Sequence, residues 1–174
     1  MKTIKSNKKG FHIHSPFVYE LVTNVLFGDS ANIDFAGTDI LKSAEQTQLN
    51  VLYRLLRYFN PQKVFFYKPL IAEIEQKLKG NIDFNFFYPE TFESNLEETI
   101  LNFPFAVLSE SVFNRLTHFP ENNSVWFIKK DSRSGDSIFK NLPECENGRI
   151  TIELKYSGII IFNNKFYTQG YVIK

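Results

Sequence analysis

Arg149-Ile150-Thr151-Ile152-Glu153-Leu154-Lys155-Tyr156-Ser157-Gly158-Ile159-Ile160-Ile161-Phe162 is the stretch that decides the fold. Isoleucines alternate with Thr151 and Glu153, then run together in Ile159-Ile160-Ile161. Three strand candidates, residues 149–156, 158–163 and 166–173, follow one another with tight turns between them. Short turns join antiparallel neighbours, so the chain is expected to close in a hairpin or meander.

Upstream the rhythm is different. Residues 64–67 and 105–108, and residues 125–128 in Val125-Trp126-Phe127-Ile128, are short apolar strand candidates. Ile82, Phe84, Phe86 and Tyr88 alternate with Asp83 and Asn85, which predicts a strand over 82–88. Between these lie helical spacings: 69–79 closed by Gly80, a turn or two around Leu96, Ile100 and Leu101, then 112–119 and 136–142. Alternating strands and helices imply right-handed crossovers and a largely parallel sheet covered on both faces. Ahead of it, Ser15-Pro16 reads as an N-cap with proline at the first helical position. Apolar residues from Phe17 to Leu26 then recur at three and four until Gly28. A second helix is predicted over 43–59, with Pro61 just beyond it. The expected architecture is a Rossmann-like α/β three-layer sandwich, mostly parallel, ending in an antiparallel hairpin and preceded by a helical segment. Residues 1–60 form an N-terminal arm and helices packed on the core, and residues 61–174 the shortened core, in one structural domain.

Composition narrows the function classes. A chain of 174 residues buries roughly 68–70% of its unfolded surface. Nineteen phenylalanines favour aromatic core packing over disorder. The net charge of +1 supplies no bulk field toward nucleic acid or membrane. Lys2, Lys5, Lys8 and Lys9 read as a solvated arm; the competing reading is a phosphate-contacting one. One cysteine, Cys145, excludes an internal disulfide and a cysteine-cluster metal site. Flanking Glu144 and Glu146 argue against a reactive thiolate. No apolar run reaches membrane-span length and no signal-peptide pattern is evident, so a cytoplasmic protein is expected. His12 and His14 have the residue types of a zinc pair but no third ligand nearby, and no metal is expected. His118, beside Phe119-Pro120, reads as a partly buried histidine.

Gly10, His14, Ser15, Pro16, Phe17, Val18 and Leu21 at the front, Leu55-Leu56-Arg57-Tyr58-Phe59, and the hairpin with Gly158-Ile159-Ile160-Ile161-Phe162 carry a resemblance. The chain resembles a shortened member of a bacterial family of class I S-adenosylmethionine-dependent methyltransferases with an N-terminal His-Ser-Pro-Phe-type segment. The likeness covers residues 9–28 and 149–174 and is architectural in between. It implies a first strand ending in an acidic residue and a glycine-rich turn, where the backbone meets the cofactor. Here that position reads Phe66-Tyr67-Lys68-Pro69-Leu70, and no glycine lies between Gly37 and Gly80. It also implies paired aspartates after the fifth strand, where this chain has Lys129-Lys130-Asp131. One strand–helix unit of the family's first half is missing.

Ligands of doubly wound sheets bind at the carboxyl ends of strands. That rule selects Tyr67, Lys68, Tyr88, Glu90, Ser109, Glu110, Lys129, Lys130 and Asp131. Tyr67, Lys68, Glu90, Ser109, Glu110 and Asp131 are the cofactor-side candidates; Lys68, Lys129 and Lys130, if assembled, would hold an anion. Ser109-Glu110 lacks a nearby histidine base, so a hydrolytic triad is unsupported. The expectation is a degenerate, non-catalytic methyltransferase-like binding or interaction module without cofactor. Two alternatives stay open: a methyltransferase binding S-adenosylmethionine in an atypical pocket, and an unrelated small-molecule or anion-binding α/β protein. A protein partner or homodimer fits the first expectation, with Phe11, Ile13 and Phe17 as a dimer arm unless they fold back on their own core. Nucleic acid and membrane are not expected.

Overall fold

The computed structural model describes residues 3–28, 43–68, 72–89, 96–120, 123–131, 137–140, 142 and 148–174. The fold is α/β, built on one eight-stranded, mostly parallel sheet with helices. The strands are β1 (Thr3–Ser6), β2 (Lys63–Phe66), β3 (Asn85–Phe87), β4 (Phe105–Ser109), β5 (Ser124–Lys129), β6 (Arg149–Glu153), β7 (Ser157–Phe162) and β8 (Gln169–Ile173). Their order across the sheet is β1-β8-β6-β7-β5-β4-β2-β3. Among the described strands β7 alone runs against the rest, between β5 and β6.

Strand residues alternate between two hydrophobic clusters, one per sheet face. Val64, Phe66, Phe105, Val107, Val125, Phe127, Ile159 and Ile161 belong to one. Phe65, Ala106, Leu108, Trp126, Ile128, Ile160 and Phe162 belong to the other. This is the period of two made visible, and burial on both sides explains why the strands read as continuous apolar runs. Helices α1 (Pro16–Glu20), α2 (Ser43–Phe59) and α3 (Ala72–Lys79) feed the first cluster; α4 (Leu96–Leu101) and α5 (Glu110–Phe113) feed the second. Val18, Leu52, Phe66 and Ile152 share a cluster, so residues of 1–60 and of 61–174 are in one core.

The helix boundaries follow local chemistry. Ser15 caps α1 by accepting the Val18 N–H at 3.4 Å, with Pro16 in the first turn. From Leu21 to Leu26 the helix widens into a π-helical stretch, which the spacing of apolar residues did not signal. Arg54 of α2 donates to the Leu26 carbonyl at 2.6 Å and fixes the end of that stretch. Helix α2 stops where Asn60 turns left-handed (φ 44) ahead of Pro61.

Several expectations need correction. The final three strands form a hairpin, β6–β7, but not a meander. Strand β8 crosses past the start of β6 and pairs parallel to its far edge, Ile150 opposite Gln169. Gly148 makes the crossing feasible: a Cβ there would stand 1.5 Å from the Phe166 carbonyl oxygen. Residues 3–6 of the supposed arm pair with β8 as an edge strand. The strand expected over 82–88 shrinks to three residues because its partner β2 offers only four, although Ile82 and Phe84 are still buried. The helix expected over 112–119 begins at Glu110 and ends at Phe113, and residues 138–140 form a turn rather than part of a helix. Ile13 is buried, and Phe17 stacks on Phe166 at 5.0 Å, so these two fold back on their own chain while Phe11 stays exposed. His118 is exposed, not partly buried, because it sits in irregular chain beyond α5 with 76% of its side chain in solvent.

No helix among the described residues is long and apolar enough to cross a membrane.

Candidate functional site

Parallel strands bring several candidates to one edge of the sheet. Phe66, Val107 and Phe127 are in register across β2, β4 and β5. Hence Lys68, Ser109 and Lys129 leave the sheet at the same level. With strands roughly 4.8 Å apart, the backbones at Lys68 and Lys129 lie about 10 Å from each other.

The structure joins Ser109, Glu110 and Asp131 into one hydrogen-bonded group. Asp131 Oδ2 accepts the Ser111 N–H at 2.9 Å, and the Asp131 N–H donates to Glu110 Oε2 at 3.1 Å. Ser109 Oγ lies 2.9 Å from Ser111 Oγ and accepts the Val112 N–H, capping α5. Each polar group has a local structural partner, so the group ties the ends of β4 and β5 together.

At the end of β2, aromatic rings take over. Phe66 is 1% exposed and stacks on Phe86 at 5.1 Å, with Tyr88 at 6.0 Å. Tyr67 leans against the opposite cluster. Lys68 is exposed, its Nζ 6.0 Å from the Tyr67 ring. Tyr88 donates its hydroxyl to Glu75 at 2.8 Å. Lys79 gives Glu75 a second hydrogen bond; these contacts hold its carboxyl below the usual range. Glu90, Pro69 and Cys145 lie outside the described residues.

Lys130 turns toward β6. Its ammonium donates to Glu153 Oε1 at 2.8 Å, and the two side chains are 8% and 10% exposed. Ser137 Oγ donates to the second Glu153 oxygen at 2.5 Å. Glu153 borders two cavities, and Lys130 borders the larger of them. One, of about 220 Å³, includes Ser137, Phe139, Arg149 and Tyr171. The other, of about 690 Å³, opens at the carboxyl ends of β5, β6 and β8, against Thr47, Gln48 and Val51 of α2.

Sequence reasoning missed this larger cavity. Its lining includes Lys8, weighed only as part of a phosphate-contacting arm, and Lys155, Tyr156 and Lys174, none of which was a candidate. The missed signal is strand direction: β6 is parallel to β5, so the 155–156 turn lies at the same carboxyl edge as Lys130. The Tyr156 carbonyl accepts both the Lys130 N–H, at 3.1 Å, and Gln48 Nε2, at 2.5 Å, which pins that turn to α2 and to the end of β5.

His12 and His14 are exposed, and among the described residues no three His, Cys, Asp or Glu side chains cluster as metal ligands. No family model matches the chain, and neither a curated protein nor a solved structure matches it.

Proposed function

We propose that the chain is a Rossmann-like, three-layer domain of methyltransferase type that has lost catalysis and works as a binding module. The observation that carries the reading is the end of β2. A cofactor-binding sheet needs a glycine turn there, so that backbone can approach the ligand. This chain places buried Phe66 in a ring stack with Phe86 and Tyr88, followed by Tyr67 and Lys68. The ancestry is supported by a mostly parallel sheet in which β7, the one reversed strand among the described residues, belongs to the β6–β7 hairpin. It is supported also by the front segment, where Gly10 has φ +77 and a Cβ in its place would stand 2.7 Å from the Tyr19 ring, which gives that segment a structural role. Loss of catalysis is supported by Lys130, which spends its charge on Glu153, and by Asp131, engaged with Ser111.

Calorimetric titration with S-adenosylmethionine and S-adenosylhomocysteine tests the reading. No heat at millimolar ligand is expected. Micromolar binding, about −8 kcal/mol, would overturn it and favour a methyltransferase with an atypical pocket.

A further inference from the structure

We propose that the cavity of about 690 Å³ at the carboxyl ends of β5, β6 and β8 binds an amphiphilic anion: an apolar chain or ring body with one negatively charged head. The proposal rests on the binding-module reading and gives it a site and a ligand class.

Size comes first. Small-molecule sites typically measure roughly 300–1,000 Å³. At roughly 30 Å³ per non-hydrogen atom, this cavity holds a body of about twenty such atoms. The walls favour carbon. Phe27, Val51, Leu154 and Ile173 line it, drawn from the end of the π-helical stretch, α2, the end of β6 and β8. Val51, Leu154 and Ile173 also belong to the core cluster, so the walls are packed from behind.

Charge decides the head group. Four lysines and one glutamate line the cavity, a side-chain excess of three positive charges. Glu153 is neutralised by Lys130 and takes a second hydrogen bond from Ser137. An ammonium has three donors, and among the described residues Lys130 Nζ gives one, to Glu153. Its remaining donors belong to a side chain that is 8% exposed and borders the cavity. Lys8 and Lys155 are held against rings of the same wall: Lys8 Nζ lies 5.2 Å from the Phe27 centroid, and Lys155 Nζ 4.9 Å from that of Tyr156. Cations seated on aromatic faces keep their charge while their stems extend the apolar surface. An apolar wall with rim cations that no acid among the described residues pairs fits an apolar anion; a neutral lipid leaves the cations unused, and a cation is repelled.

The full chain is titrated with decanoate, decyl phosphate and decanol, with heat and backbone amide NMR shifts as readouts. Decanoate, decyl phosphate or both bind, shifting amides of 47–51 and 154–157, and decanol binds at least tenfold more weakly. Which anion binds more tightly distinguishes a carboxylate from a phosphate head. Val51→Trp, which fills the cavity, lowers anion affinity at least tenfold. Should that variant fail to fold, the exposed double substitution Lys8→Glu and Lys155→Glu carries the test, weakening anions at least tenfold and leaving decanol unchanged. Decanol binding as tightly as the anions, an unchanged affinity in the lysine variant, shifts at another surface, or no binding would each overturn the proposal. Silence toward the decyl probes together with silence toward S-adenosylmethionine sinks this site alone; S-adenosylmethionine heat sinks the non-catalytic reading.

Discussion

Glu153→Leu is expected to destabilise the protein strongly, whereas Lys130→Met with Glu153→Leu is not expected to cost the sum of the two changes. The ammonium and carboxylate are 2.8 Å apart and about nine-tenths buried. At an effective dielectric of about 20 their attraction is about 6 kcal/mol. Most of it offsets the desolvation of two charges, so the intact pair is worth little net. Breaking it is different, because one charge stays behind without its partner. Removing Glu153 strands a lysine, and the cost is about 3 kcal/mol, the low end for buried pairs, since Lys130 still borders the larger cavity. Removing Lys130 costs less, about 2 kcal/mol, because Glu153 keeps the Ser137 hydroxyl. The double variant costs about 2 kcal/mol, which leaves a coupling of about 3 kcal/mol. Urea denaturation of the four proteins measures it. For a chain of this size, 3 kcal/mol also lowers Tm by about 6–12 °C. Single effects that simply add, with coupling below about 0.5 kcal/mol, would refute the reasoning and mean that the pair is solvated.

Gly148→Ala drives a Cβ to 1.5 Å from a backbone oxygen and costs about 3 kcal/mol, whereas Gly80→Ala, with its nearest neighbour at 3.4 Å, changes stability by less than about 1 kcal/mol; paired thermal melts decide this. Arg54→Met removes the hydrogen bond to the Leu26 carbonyl and costs about 1.5–3 kcal/mol, read by urea titration. Hydrogen bonds from Lys79 and Tyr88 lower the Glu75 pKa. At Glu97 burial pushes the pKa up, but hydrogen bonds from His118 and Thr117 outweigh it and leave it lowered. Both carboxylates therefore stabilise the fold fully above their ordinary value of 4.5, and that stabilisation is lost as pH falls through their lower folded values. Glu75→Gln combined with Glu97→Gln should flatten the acid limb of the stability–pH curve, and an unchanged limb contradicts the assignment.

Burial on both sheet faces writes itself into sequence, which is why Val125-Trp126-Phe127-Ile128 and Ile159-Ile160-Ile161 were readable as strands. Strand β1 was not: Thr3-Ile4-Lys5-Ser6 has one aliphatic residue and faces solvent along an edge. The excursion of β8 past β6 was equally hidden, because turn length predicts the nearest partner and Gly148 alone hints at a close crossing. At the site, rules about strand ends found Ser109, Glu110 and Asp131, which do meet. They missed Lys8, Gln48 and Lys174, whose place depends on how distant segments pack rather than on any local pattern.

Pairing β1 with β8 sets Thr3 opposite Gly170, 167 positions apart in the chain. During synthesis at roughly 5–20 residues per second, the first strand made waits about ten to thirty seconds for its partner. Through that interval Thr3–Ser6 has no partner strand, and β6, once it is made, keeps its outer edge open until β8 arrives. An open edge recruits other strands. The last strand thus acts as a closing seal, and pairings so distant in sequence are the slowest to form. A chain released before Gln169 would leave that outer edge of β6 open to other strands.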